Sequence, residues 1–408
     1  MTLTTGYTQM KDSGIPWVGS IPAEWNIRVL FQLVNQVKCK NSDLQEQNLL
    51  SLSYGKIKRK NIDKADGLLP ASFDGYNIIE NGDIVLRLTD LQNDHTSLRV
   101  GRATERGIIT SAYTTLRPTN PSISKYIYYL LHTFDIKKGF YGMGSGVRQG
   151  LNFDEVKMLK LPVPSYETQE AIVTYLDAQC AKIDEIIAEA KASIEDYKQW
   201  KASVIYEAVT KGLDPDAEMK ESGVEKIGRI PLKWTTIKLK YLLNIKSGDA
   251  IGAEDMLSDG KYPVYGGGEA IGFCNKYNAD ENNLLIGRVG ARCGCVTAPQ
   301  TPSWATDNAL IVECKELRAY LHYLLLSADL NSLNTSNAQP LITGTKIKNC
   351  VVVFTDDVAE QKEIAAFLNE KTRVIDSFVS EKEALISDLE SYKKSLIYEI
   401  VTGKRSVI

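Results

Sequence analysis

Met10-Lys-Asp-Ser-Gly-Ile-Pro-Trp-Val-Gly-Ser-Ile-Pro-Ala-Glu-Trp25 returns 209 residues later as Met219-Lys-Glu-Ser-Gly-Val-Glu-Lys-Ile-Gly-Arg-Ile-Pro-Leu-Lys-Trp234. Eight of the 16 positions are identical without a gap, where chance gives about one. A second match has an offset of 192 and pairs Gln169 to Thr210 with Gln361 to Thr402, with 16 identities in 42. It closes on nearly one phrase, Val204-Ile-Tyr-Glu-Ala-Val-Thr210 and Leu396-Ile-Tyr-Glu-Ile-Val-Thr402. The fall in offset makes the intervening region 17 residues shorter the second time, and little similarity survives there. The chain therefore reads as similar start, dissimilar middle and similar end, written twice.

The similar ends carry helical periodicity. Ile172, Leu176, Ile183, Ala190, Tyr197 and Val204, interleaved with Gln179, Ile186, Ser193 and Trp200, follow a three-four spacing of about six heptads. The second half offers Ile364, Leu368, Ile375, Phe378, Leu385, Leu389, Tyr392 and Leu396. A short apolar strand signal precedes each, Leu159-Lys-Leu-Pro-Val-Pro164 and Val351-Val-Val-Phe354, followed by an N-cap at Ser165 or at Asp357 with Glu360 three residues on. A helix of this length at ~1.5 Å per residue is ~60 Å long, more than one small domain can cover, so the two are expected to cover each other.

The dissimilar middles read as mixed α and β. Glu80-Asn-Gly-Asp-Ile-Val-Leu-Arg-Leu88 and Asn283-Leu-Leu-Ile-Gly-Arg-Val289 are short strands opened by turn residues. Tyr126-Ile-Tyr-Tyr-Leu-Leu131 and Tyr320-Leu-His-Tyr-Leu-Leu-Leu326 match in spacing and predict a buried helix.

Length and composition bound the reading. A chain of 408 residues with 43% hydrophobic and 24% charged residues suits two to four globular domains. No apolar run approaches the roughly 18 residues of a membrane span, and the first residues lack the features of a signal peptide, so a cytoplasmic protein without membrane contact is expected. Seven scattered cysteines fit reduced thiols better than a disulfide framework. The net charge of −3 conceals an alternation. Residues 11–160 carry 20 Lys and Arg against 15 Asp and Glu, and residues 161–218 carry 5 against 12. Residues 219–350 then carry 15 against 13, and residues 351–408 carry 8 against 11. The middles are basic and the helices acidic.

Catalytic patterns are missing. No GxxxxGK[ST] phosphate loop occurs, and no Pro-Pro dipeptide is present to form the Asn/Asp-Pro-Pro-aromatic motif of amino-methylating enzymes. Asp307 with Glu313-Cys-Lys315 is nuclease-like in composition, but the spacing is tight, and a surface strand is the plainer reading. Cys293-Gly-Cys295 near Cys274 lacks a CxxC pair or a nearby histidine to complete a zinc set. His95, His132 and His322 are isolated, which leaves no triad to assemble. No catalytic residue, metal site or cofactor is expected.

Binding chemistry is present. Lys56-Ile-Lys-Arg-Lys60 sets Lys56, Lys58, Arg59 and Lys60 beside Tyr54 and Gly55, which suits phosphate contact or, more plainly, a solvated loop. Arg87, Arg99, Arg102 and Arg106 follow, of which two or three can share a surface. Tyr141-Gly-Met-Gly-Ser-Gly-Val-Arg-Gln149 offers Ser145, Arg148 and Gln149 on a glycine loop, where Arg suits guanine and Gln suits adenine. In the second half, Tyr262-Pro-Val-Tyr-Gly-Gly-Gly-Glu-Ala-Ile-Gly-Phe273, with Tyr265 and Gly267, and Gly287-Arg-Val-Gly-Ala-Arg292, with Arg288 and Arg292, form comparable loops. Lys276 and Lys346 join them as candidate DNA contacts. Neither loop has the GxGxxG spacing of a dinucleotide site.

The pattern resembles the specificity subunit of type I restriction-modification systems. The residues that carry it are the repeated Ser-Gly…Gly…Ile-Pro…Trp openings, Tyr265-Gly-Gly-Gly…Ile-Gly-Phe273, the Arg148-Gln149…Leu161-Pro-Val-Pro164 and Gln339-Pro340…Val351 to Phe354 approaches, and the two long Gln-containing helices. The resemblance implies an α+β chain in which two globular mixed α/β target-recognition domains form a tandem pseudo-two-fold repeat, separated by two long antiparallel coiled-coil helices. The boundaries are then residues 1–160, 161–214, 215–350 and 351–408. It further implies a non-catalytic subunit in which each domain reads half of a bipartite double-stranded DNA site. The helices would set the spacer and dock two DNA methyltransferase subunits, with motor-nuclease subunits when a system has them. The alternative is a coiled-coil scaffold whose duplicated domains bind protein without reading DNA.

Overall fold

The computed structural model describes residues 7, 9–60, 72–143, 150–334 and 340–407. By compactness the chain divides into two units, one running to Glu189 and resuming at Leu385, the other Ala190–Ala384. The division falls inside the long helices rather than at their ends. Each unit therefore contains one globular middle, the N-terminal part of one long helix and the C-terminal part of the other.

In the first unit the strands are β1 (Asn26–Val29), β2 (Val34–Val37), β3 (Leu50–Ser53), β4 (Lys56–Arg59), β5 (Ile84–Leu86), β6 (Val100–Arg102) and β7 (Thr114–Pro118). Helix α1 (Ser124–Ile136), strand β8 (Lys160–Val163) and helix α2 (Tyr166–Lys211) follow. An antiparallel sheet runs in the order β2-β7-β5-β6. Ile84, Val85 and Leu86 of its inner strand are fully buried. Strands β3 and β4 form an antiparallel hairpin inserted between β2 and β5 in sequence. On α1, Tyr126, Ile127, Leu130 and Leu131 are buried, as their helical spacing requires.

The second unit repeats this plan. Its elements are β9 (Thr235–Lys238), β10 (Leu243–Ser247), β11 (Tyr262–Tyr265), β12 (Ala270–Cys274), β13 (Leu284–Gly287), β14 (Val296–Thr297), β15 (Ala309–Cys314), α3 (Arg318–Ser327), β16 (Val351–Phe354) and α4 (Val358–Val401). The sheet order β10-β15-β13-β14 matches that of the first unit, and a β11–β12 hairpin occupies the same place in the chain as β3–β4.

The sequence repeats fold alike. Met10–Asp12 pairs with Ser20–Pro22 in the register Met10↔Pro22, and Met219–Glu221 pairs with Arg229–Pro231 in the register Met219↔Pro231. The two repeated tryptophans, Trp25 and Trp234, are each 1% exposed. Strand β8 pairs antiparallel with β1, and β16 with β9, so each strand signal seats the start of a long helix. Ser165 Oγ accepts from the Thr168 amide at 3.3 Å, and Asp357 Oδ1 accepts from the Ala359 amide at 2.8 Å, which caps both helices as expected. The repeated glutamines explain themselves here. Buried Gln169 donates back to the Pro164 carbonyl at 3.0 Å, and buried Gln361 donates to the Thr355 carbonyl at 2.9 Å.

Within the second unit the C-terminal part of α2 runs antiparallel to the start of α4. Tyr197 stacks on Phe378 with centroids 5.5 Å apart, and Lys201 meets Asp376 at 2.7 Å, so rising numbers face falling ones. In the first unit Lys393 of α4 meets Asp184 of α2 at 2.6 Å. The apolar stripe differs in one respect from the expected heptad. Ile172, Leu176, Ile183 and Ala190 are buried, but the companion row is Cys180, Ile187 and Ile194 rather than Gln179, Ile186, Ser193 and Trp200. On a helix of 3.6 residues per turn both i+3 and i+4 lie beside i, so apolarity alone does not separate Ile186 from Ile187. Phe378, Leu385 and Tyr392 of α4 are likewise exposed.

Candidate nucleic-acid interface

In the first unit the basic run folds as a strand, not a loop. The register Ser53↔Lys56, Leu52↔Ile57, Ser51↔Lys58 and Leu50↔Arg59 sorts the hairpin into two faces. Leu50, Leu52 and Ile57 join a small core with Ile79, Val85 and Ile109. The opposite face carries Ser51, Ser53, Lys56 and Lys58, and alternation continues to Lys60. Lys56 and Lys58 are exposed, and no carboxylate of the described residues is within ion-pair distance of these three lysines. Arg59, on the inner face, reaches Glu105 instead, with Nε 2.9 Å from Oε1.

The remaining arginines have separate tasks. Arg99 is fully buried, and its guanidinium donates to the carbonyls of Arg87 (3.1 Å), Thr89 (2.7 Å), Asp90 (3.1 Å) and Asp94, and to the Tyr141 hydroxyl (2.9 Å). It pins the 87–99 loop from inside. Arg87 lies 3.3 Å from Asp94, whose carboxyl is held well below the usual range, first by the Ser97 amide. Arg106 pairs with Glu46 at 2.9 Å and also with Glu80. Arg102 donates through Nε to Ser124 Oγ at 2.8 Å, and desolvation lowers its pKa. Its side chain lines a cleft of about 290 Å³ with Lys56, Lys125, Tyr128, Tyr129 and Asp177. Of the sequence candidates, the structure thus gathers Lys56 and Arg102 at one cleft and keeps Arg87 and Arg59 in ion pairs. Ser145, Arg148 and Gln149 lie outside the described residues.

In the second unit the glycine loops meet. An added Cβ at Gly287 would sit 2.2 Å from the Gly267 carbonyl oxygen and 2.3 Å from that of Arg292. Gly267 has φ +138°, a backbone only glycine adopts freely. The contact fixes the end of β13, from which Arg288 projects. Its Nε is sealed from solvent without a partner among the described residues, and its Nη1 is 3.4 Å from Ser247 Oγ. Arg292 meets Glu269 at 3.1 Å, and Lys276 meets Asp255 at 2.6 Å while its ammonium lies 4.9 Å from the centre of the Trp304 ring. Tyr265 packs half-buried against Ala279 and Ile311, and its carbonyl accepts from the Thr306 amide at 2.9 Å. Lys346 donates to the Leu333 carbonyl at 3.1 Å. Glu313, of the nuclease-like fragment, pairs with Lys246 at 3.0 Å, and Cys293 Sγ donates to the Arg288 carbonyl.

Sequence reasoning missed the outer face of the β11–β12 hairpin, where Ile271 (60%) and Phe273 are exposed, with Tyr277 exposed nearby. Alternation along β12 carries the signal, because Ile271 and Phe273 share a face opposite buried Cys274.

Each unit therefore sets a hairpin beside a four-stranded sheet, two-stranded in the first unit and extended in the second by Trp304–Ala305, which pairs parallel with β11. The family described as type I restriction modification DNA specificity domain matches the chain twice, over residues 30–196 and 231–386, more than half of its length. The chain belongs to this family. Each match spans one sheet with its ribbon, the following helix and part of a long helix. Among curated specificity-family proteins, the chain is 27% identical over 138 residues to the type I restriction enzyme EcoprrI specificity subunit of Escherichia coli, covering 32% of this chain and 34% of that one. It is 24% identical over 233 residues to the MjaVIII specificity subunit of Methanocaldococcus jannaschii, covering 56% and 51%. The match thus spans a third to about half the length of these relatives. In fold, it resembles a chain solved in work on complex assembly and conformational transition of the type I R-M system, with a TM-score of 0.66, 14% identity, and coverage of 94% of this chain and 99% of that one.

Proposed function

We propose that this chain is the cytoplasmic, non-catalytic DNA-reading subunit of a type I restriction-modification complex, each unit recognising one half of a bipartite site in double-stranded DNA. The observation that carries the reading is the double family match, each copy framing a different ribbon within a repeated scaffold. Repeated frames suit two copies of one partner, here two DNA methyltransferase subunits, while unlike ribbons suit unlike half-sites. Motor-nuclease subunits join where a system has them. The long helices dock the partners and set the spacer between half-sites. Lys56, Lys58, Lys60, Arg87 and Arg102 of the first unit, and Tyr265, Gly267, Lys276, Arg288, Arg292 and Lys346 of the second, serve DNA binding directly or by shaping the loops, as do Ser145, Arg148 and Gln149; Arg59 braces the first ribbon.

The test is an exchange. Replacing residues 37–152 with the equivalent segment of a relative, then mapping methylated sites in a host carrying the complex, is expected to change one half of the site and keep the other. A change in both halves or in neither counts against two independent readers. A protein scaffold without DNA readout gives no sequence-selective, salt-sensitive shift when mixed with its methyltransferase.

A further inference from the structure

We propose that Tyr54 is a stacking wedge, with its ring set against a base step in the half-site read by the first unit and Lys56, Lys58 and Lys60 on the flanking phosphates. The inference rests on the DNA-reading assignment above and names the group that performs it. Tyr54 is 78% exposed, the highest value among the large apolar side chains of the described residues. Its backbone has φ +47° and that of Gly55 has φ +75°, between the paired Ser53 and Lys56. This is the two-residue turn with both central residues left-handed, which favours Asn-Gly and disfavours a bulky first residue. Among the described residues the ring joins no apolar cluster in return for the strain, so their packing does not account for a tyrosine there.

The tip is held firmly. A Cβ on Gly55 would lie 3.1 Å from Leu98 Cβ, and one on Gly101 would lie 2.5 Å from Leu52 Cδ1 and 3.1 Å from Ile57 Cδ1. The ribbon is therefore pressed onto β6 through a glycine, and its tip onto Leu98. A two-stranded ribbon fits the major groove, and its lysine-bearing face then lies along the backbone. Seating the ring in a base step of the duplex partly unstacks it at a cost of a few kcal/mol, least at flexible pyrimidine–purine steps, so the tyrosine would fix the depth and register of entry while neighbouring groups read edges.

The experiment uses the chain assembled with its methyltransferase subunits and a duplex carrying the methylated site. Tyr54→Phe should bind like wild type, whereas Tyr54→Ala and Tyr54→Asn should each lose about tenfold or more in specific affinity. Because Asn-Gly is the preferred turn, Tyr54→Asn should keep or raise the melting temperature while it weakens binding, an opposition that a purely structural tyrosine cannot produce. Changing Lys56, Lys58 and Lys60 together to Gln should flatten the slope of log affinity against log salt by about two to three, at ~0.9 per phosphate contact. Wild-type affinity in Tyr54→Ala overturns the wedge and leaves DNA reading intact. Loss of subunit assembly in Tyr54→Ala overturns it in favour of a protein contact. Absence of selective binding by the wild-type complex overturns the DNA-reading assignment, and the wedge with it.

Discussion

The hydroxyl of Tyr129 donates to Asp177 Oδ1 at 2.7 Å, tying α1 to α2. The repeat makes this bond again, from Tyr323 of α3 to Asn369 Oδ1 of α4 at 2.8 Å. Two middles that share almost no sequence are thus fastened to their long helices by the same two-atom link, and the carboxylate and the amide serve it equally.

That equivalence makes a prediction. Asp177→Asn should fold with little loss, because an amide oxygen already accepts this bond in the second unit. Tyr129→Phe should cost about 1 kcal/mol. Asp177→Ala should cost more than Asp177→Asn, since both end the Lys125 ion pair but only the alanine also removes the oxygen that accepts from the Tyr129 hydroxyl. Thermal unfolding followed by circular dichroism ranks the three, and equal losses for the Asn and Ala variants would refute the assignment.

Burial of His132 and His322 makes stability depend on pH. Each ring is pushed down to about 4 by desolvation, and each Nδ1 is sealed without a partner among the described residues. The unfolded chain takes up these protons near the ordinary value of 6.5, so stability falls as pH drops from about 6.5 through about 4. Asp135 works in the opposite sense. Its carboxyl is pushed up to about 6 by burial, so the stability its folded protonation contributes is present at low pH and lost as pH rises from about 3.8 through about 6. His132→Leu and His322→Tyr install the residues found at the matched positions, Leu326 and Tyr128. Both should raise the melting temperature more at pH 5 than at pH 8, and an equal shift at the two pH values would show that neither ring titrates on unfolding.

Gly287→Ala should disable the second reader. Its methyl group would have to displace the Gly267 and Arg292 carbonyls, a clash typical of overpacking costs of about 1 to 3 kcal/mol. Arg288→Lys leaves the loop intact but removes the planar fork that base-edge recognition needs. The expected outcome is lost discrimination in one half-site for Arg288→Lys, and lower stability as well for Gly287→Ala. Uniform weakening on all sequences by Arg288→Lys would make Arg288 a phosphate contact.

If the long helices set the spacer, inserting seven residues after Ala190 and seven after Lys382 keeps the apolar stripe in phase and adds ~10 Å to both. At ~3.4 Å per base pair the spacer should lengthen by up to about three base pairs. The half-site also turns by roughly 100° around the duplex, so some affinity should be lost unless the DNA twists. Sites recovered from a random library measure the spacer, and an unchanged spacer at full activity would free the helices of this role.

Much of the architecture was legible because the repeat is its own control. Trp25 and Trp234, Gln169 and Gln361, and the caps Ser165 and Asp357 recur where the chain needs the same local solution twice. The parts that escaped are those where chemistry is ambiguous without a third dimension. Arg99 sits in a basic series and looks like a surface cation, yet five acceptors make it a buried brace. Ile186 and Ile187 are equally apolar, and only the partner helix decides which one is buried. Lys56 to Lys60 had the composition of a solvated loop, but alternation between lysine and Ile57 belongs to a strand with one wet face.

The last helix has a further consequence. Tyr398 donates to the Trp17 carbonyl at 3.3 Å, and Gly403, at φ +70°, packs where a Cβ would strike Pro22 and Trp25. Gly212, just past α2, lies against Trp234 more loosely, with its Cβ position in ordinary contact at 3.4 Å from that ring. Each half of the gene thus ends by sealing a half that begins elsewhere. In connectivity the polypeptide is a circuit, and the order in which a ribosome delivers its two halves is a convention that the folded contacts do not record. Exchanging the order of residues 10–213 and 214–404 should preserve the interior of both units while reversing which one emerges first.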